Sequence, residues 1–139
     1  MILYCNFEEL AAVSAGGNRL VATAIGGDHP VLAPPQALAD LEALLPRLVG
    51  DVEVATLADQ RAIERALELL VTDLGTRMDE AIQAEHAAAE DAVLAYFDYA
   101  HVRSVLDRVE RMGAKMEGII ELATGVPADD EAARTFIFD

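Results

Sequence analysis

The fold turns on one stretch near the start of the chain, Phe7–Gly27, which reads FEELAAVSAGGNRLVATAIGG. Two acids open it, a glycine pair sits in its middle and a second pair ends it. Acids favour a first helical turn and glycine favours the position just after a last one, so FEELAAVSAGG reads as one short helix. NRLVATAIGG, with its β-branched Val, Thr and Ile, then reads as a strand leaving into the loop GGDHPVLAPP.

Outward from this stretch the same grammar continues. MILYCNF is apolar and suits a first strand. The pair Pro34-Pro35 opens a helix in which Leu38, Leu41, Leu44, Leu45 and Leu48 recur at helical spacing. DVEVATL alternates with period two and is the third strand. Residues 1–57 are therefore expected to form β-α-β-α-β, a small parallel or mixed sheet, and the fold class is α+β or small α/β.

Thr56-Leu57-Ala58-Asp59 matches a capping box, and no proline follows until after Thr124. Two apolar stripes at helical period fill this span. One is Ile63, Leu67, Leu70, Leu74, Met78 and Ile82; the other runs from Leu94 and Phe97 through His101, Val105, Val109 and Met112 to Met116 and Ile119. A single helix of that span would be roughly 100 Å long at about 1.5 Å per residue. Charges favour an antiparallel hairpin instead, since Arg77 with Asp98, Asp73 with Arg103, Glu68 with Arg108, Arg65 with Glu110 and Glu64 with Arg111 all sum to 175 or 176. That register puts the turn at residues 86–91 and Gly75 opposite His101. A rival break lies at Gly75, where Thr76-Arg77-Met78-Asp79 offers another capping box. After Gly125 and Pro127, ADDEAAR suits a short helix and TFIFD a last strand paired with the N-terminal one. One domain, 1–139, then has three parts: a sheet region at 1–57, a hairpin at 58–124 and a tail at 125–139.

Ten Lys and Arg against 25 Asp and Glu leave a net charge of −15, which repels phosphate backbones and anionic lipid headgroups. No partner is expected among nucleic acids or membranes. Nothing in the chain is an apolar run of the ~18 residues that span a bilayer. The N-terminus lacks a basic leader region, and the one cysteine, Cys5, excludes an intramolecular disulfide framework, so the cytoplasm is the expected compartment. The Arg-for-Lys and Ala bias suggests a GC-rich bacterial genome.

Asp28 and His29, in the glycine turn IGGDHP, are the candidate ligand or metal residues, because ligands bind outside the carboxyl ends of strands in open α/β sheets. Asn6 and Asp59 would join them just past other strand ends. His86 with Glu90 at i+4 is a weak surface metal candidate. His86 and His101 are about 22 Å apart along a continuous helix, too far to share an ion. Tyr96, Phe97, Tyr99 and His101 are the candidate interface residues, aromatic side chains being enriched where proteins touch. The acids from Asp79 to Asp91 form an acidic tip suited to a basic protein partner. Dinucleotide, phosphate-loop, serine-hydrolase and zinc motifs are missing, and Cys5 lies where a strand would bury it. The expected function is therefore that of a non-catalytic, cofactor-free acidic protein acting by protein–protein contact, as a homodimer through the hairpin. The competing expectation is a small-molecule or metal-binding protein or enzyme with its site around Asp28-His29.

Overall fold

A computed structural model describes residues 1–26, 34–84 and 90–139. Along the chain these form β1 (Ile2–Leu3), α1 (Phe7–Gly26), α2 (Pro35–Leu44) followed by a 3-10 turn at Leu45–Arg47, β2 (Val52–Glu53), α3 (Leu57–Gln83), α4 (Glu90–Thr124) and α5 (Asp130–Thr135). The expected β-α-β-α-β region is overturned: the chain is mostly helical. Among the described residues the sheet has two strands, β1 and β2, antiparallel with Ile2 opposite Glu53 and Leu3 opposite Val52.

The correction comes from the opening stretch. Asn6 starts α1 with a reciprocal cap, its Oδ1 accepting from the Glu9 amide and the Glu9 carboxylate accepting from the Asn6 amide, each at 2.8 Å. Helical spacing then carries Val13 and Leu20 to the same buried face, straight through Gly16 and Gly17. The glycine pair does not stop the helix; it lets two neighbours come close. A Cβ on Gly17 would lie 2.6 Å from Leu45 Cδ2 and 3.3 Å from Leu41 Cδ1, and one on Gly16 would lie 3.2 Å from Leu70 Cδ1. Each mid-helix glycine costs about 1 kcal/mol against alanine, and close packing of α2 and α3 on α1 offsets it. NRLVATAIG is thus the second half of a 20-residue helix and not a strand.

Residue pairings fix the directions of the helices. Leu10 and Val13 pack near Ile63, Leu67 and Val105. Gly16 meets Leu70 and Leu74, and Arg19 pairs with Asp73, so α1 and α3 run parallel. Glu9 pairs with Arg108 while Arg19 shares a cleft with Asp98, so α4 runs antiparallel to α1. Leu41 beside Gly17 and Asp40 bonded to Arg65 set α2 antiparallel to both α1 and α3. This is an up-down-up-down bundle of four helices with β1–β2 and α5 at one end. One cluster of buried apolar residues runs through it from Leu3 to Phe138.

The helical hairpin is present as α3 and α4. Helix α3 continues unbroken through Gly75 to Gln83, which removes the rival break. Of the expected turn, residues 86–89 lie outside the described residues, and Glu90 already belongs to α4. The register differs slightly from the charge-based one: Gly75 faces the Tyr99 ring, 3.7 Å from a Cβ placed there, and not His101. Gln60, 2% exposed, fixes it by donating from Nε2 to the Val109 carbonyl at 2.8 Å. A Cβ on Gly113 would come within 2.8 Å of Cδ, Nε2 and Oε1 of that amide, so a side chain there would have to displace it. Among the described residues none of the five expected ion pairs forms: α2 and α1 supply partners for Arg65 and Arg108, and two arginines turn to acids of their own helices. Arg65 pairs with Asp40 at 2.8 Å, Arg108 with Glu9, Arg77 with Asp73 at 3.1 Å, and Arg103 with Asp107 at 3.3 Å.

The tail forms α5, capped by Asp129, whose Oδ1 accepts from the Ala132 amide at 2.7 Å. TFIFD is not a strand. Phe138 donates its amide to the Ala55 carbonyl at 2.8 Å, so the tail meets the segment after β2 and not β1. No helix among the described residues is long and apolar enough to cross a membrane.

Candidate functional site

Asp28, His29 and His86 lie outside the described residues. Their structural premise is nonetheless changed, because the segment before Asp28 is a helix end and not a strand end. Asn6 and Asp59, the other residues assigned to that site, hold structure elsewhere. Asn6 caps α1. Asp59 gives both carboxylate oxygens to Arg47, at 2.8 and 2.9 Å, while its amide donates to the Thr56 hydroxyl at 3.1 Å. Only half of the expected capping box therefore forms at Thr56.

The four interface candidates sit in the distal half of α4, the half nearer the hairpin turn. Tyr96 and Phe97 are each more than half exposed, and their rings meet edge to face at 6.4 Å and 62°. Tyr99 is half-buried against Gly75. His101 is half-buried, and its Nδ1–H donates to the Phe97 carbonyl at 2.7 Å. The apolar stripes explain this region. Ile63, Leu67, Leu70 and Leu74 are buried, whereas Met78 is half-buried and Ile82 is 62% exposed. On α4, Val105 and Val109 are buried while Leu94 and Phe97 are more than half exposed. The start of α2, at Pro34, Gln36 and Ala37, shares a cleft with Arg65, Glu68, Leu69 and Thr72 of α3, and both stripes run on past that level. Ile25 (74% exposed), Ile82, Val93, Leu94, Tyr96 and Phe97 are left as large apolar side chains at one end. Beside them lies a cleft of about 300 Å³ lined by Arg19, Arg77 and Asp98 together with Leu74, Ala81, Leu94 and Ala95. Burial and the neighbouring Arg77 push the Arg19 guanidinium down, with Asp73 and Asp98 opposing.

Two charged clusters were missed by reading the sequence. Carboxylate oxygens of Glu64, Glu68 and Glu110 all lie within 4.8 Å of one another. Burial, then the charges of Glu68, Glu110 and Glu117, raises the Glu64 carboxyl. A hard cation prefers such oxygens, but nothing beyond the carboxylates themselves points to one. The second cluster is Arg108, Arg111 and Lys115, which line a groove of about 490 Å³ together with Met112 and residues 1–4. Their i, i+3, i+7 spacing on one helical face was the available signal. Cys5 is half-buried, and burial raises its thiol above the usual value, with Arg108 opposing.

No family model, curated protein or solved structure matches the chain.

Proposed function

We propose that this protein is non-catalytic and works by protein–protein contact through the distal half of the α3–α4 hairpin, with a second copy of itself as the simplest partner. The supporting observation is that, among the described residues, both apolar stripes continue past the start of α2, with six large apolar side chains exposed at that end of the bundle. Contiguous apolar surface of this kind marks interaction sites on soluble proteins, and paired hairpins would cover each other as a four-helix contact. Tyr96 and Phe97 would be its aromatic anchors. The proposed compartment is the cytoplasm, compatible with a single free thiol.

Size-exclusion chromatography with light scattering tests this at micromolar concentration. Wild type should run as a dimer, and Leu94→Asp with Phe97→Asp should run as a monomer with unchanged far-ultraviolet circular dichroism. A wild-type monomer, or a dimer untouched by the two substitutions, would count against the hairpin as the self-association surface.

A further inference from the structure

The groove at the other end of the bundle gathers three of the chain's ten basic residues, including its only lysine, in a protein of net charge −15. No Asp or Glu is among its lining residues. Arg108 is held by Glu9 and by the Tyr4 carbonyl. Arg111 and Lys115 are exposed and make no ion pair among the described residues.

The groove's other wall is the open edge of β1. Met1 and Val54 exchange both backbone hydrogen bonds, at 2.8 and 2.7 Å, and Leu3 stands opposite Val52. In an antiparallel ladder the residue between two such pairs turns its amide and carbonyl away from its partner strand. That residue is Ile2, and Tyr4 has the same parity. The Tyr4 carbonyl accepts from Arg108, which shows that this outer edge faces the basic row of α4.

We propose that the groove binds an extended acidic peptide segment of a partner protein, added as a third strand on β1. Alternate side chains of an extended strand stand about 6.7 Å apart, and Arg111 and Lys115, four residues apart on a helix, about 6 Å. Acids at i and i+2 of the segment therefore match the two free cations, while its intervening apolar side chains pack toward Ile2, Tyr4 and Met112. Main-chain bonds to Ile2 supply affinity, and the cations supply the preference for acids. A small anion satisfies this surface less well, because the cations are strung over about 10 Å of α4 and do not converge on one point. Phe97 and Arg111 are about 20 Å apart along α4, so this surface is separate from the apolar hairpin end.

A random peptide library displayed on phage, panned against the full-length protein, tests the idea. Wild type should enrich sequences in which Asp or Glu alternates with apolar residues. A synthetic selected peptide, followed by fluorescence anisotropy, should lose more than tenfold in affinity to the Arg111→Glu/Lys115→Glu variant. It should lose as much to Ile2→Pro, which removes the outward amide and leaves the β1–β2 bonds in place. Circular dichroism confirms that each variant is folded, and the charge-reversed variant stands alone if Ile2→Pro is not. Selection with no acidic enrichment, or equal binding to the charge-reversed variant, would overturn the proposal. So would displacement of the peptide by inorganic phosphate at fixed ionic strength, which would assign the groove to a small anion. Unchanged affinity for folded Ile2→Pro would overturn strand addition.

Discussion

Gly113 and Gly118 occupy the same helix and meet different surroundings. Gly113 lies against the buried Gln60 amide, whereas nothing stands within 4 Å of a Cβ placed on Gly118. Gly118→Ala should stabilise by about 0.8–1 kcal/mol through helix propensity alone. Gly113→Ala gains the same propensity but displaces Gln60 from the Val109 carbonyl, and a buried amide left unpaired costs about 1–3 kcal/mol. Thermal melts of the two variants should therefore move in opposite directions. Glu64 supplies a pH test. Its carboxyl is raised from 4.5 by burial and by its acidic neighbours, so the folded state holds the proton more tightly than the unfolded chain. The stability this contributes is complete below pH 4.5 and is lost as pH rises through the raised value. Glu64→Gln should consequently stabilise near neutral pH, by about 0.5 kcal/mol or 1–2 °C in Tm, since like charges at i, i+4 repel by about that much. The gain should shrink as melts are run from about pH 7 down to about pH 5. At this scale the cap at Thr56 was legible, because a cap is written within four consecutive residues. The fit of Gly113 over Gln60 was not, because it depends on which two helices face each other.

Among the elements, the hairpin was legible and α1 was not. Two long stripes without an internal proline admit few arrangements, and α3 and α4 follow them closely. Within α1, Gly16 and Gly17 carry two meanings, a stop signal or a notch for a crossing helix, and only the positions of Leu41, Leu45 and Leu70 choose the second. The same blind spot moved the ion pairs. Arg65 and Arg108 were assigned partners across the hairpin because α1 and α2 had not yet been placed beside it, and Asp40 and Glu9 take them instead. A helical stripe reveals where apolar side chains lie but not where their cover ends. That uneven cover should be visible in amide hydrogen exchange. Amides of 60–74 and 102–116 should exchange slowly and those of 76–83 and 92–98 markedly faster, because few packed neighbours permit local opening. Uniform protection along both helices of the monomeric variant would show that the distal half is stabilised within the chain itself.

For the molecule as a whole, composition told more about charge than about architecture. A net charge of −15 is an average, and it hid a local row of cations, Arg108, Arg111 and Lys115, whose groove residues 1–4 complete. The four long helices pack mainly on their neighbours in sequence, and only α1 against α4 joins segments from opposite ends of the bundle sequence. That arrangement has a kinetic meaning. Contacts between successive helices close short loops and form early, whereas the α1–α4 seam must wait for about 100 residues of chain to be brought round. Glu9, only 4% exposed, sits on that seam with its charge answered by Arg108. Arg108→Met would leave the carboxylate buried and uncompensated, at a cost of about 3 kcal/mol. If the seam closes after the rate-limiting step, nearly all of that loss falls on the unfolding limb of a chevron plot. Unfolding should then quicken by about a hundredfold while the folding rate stays within about threefold of wild type. The buried pair would in that case act as a latch on the lifetime of the native state, fastened only after the helices have found one another.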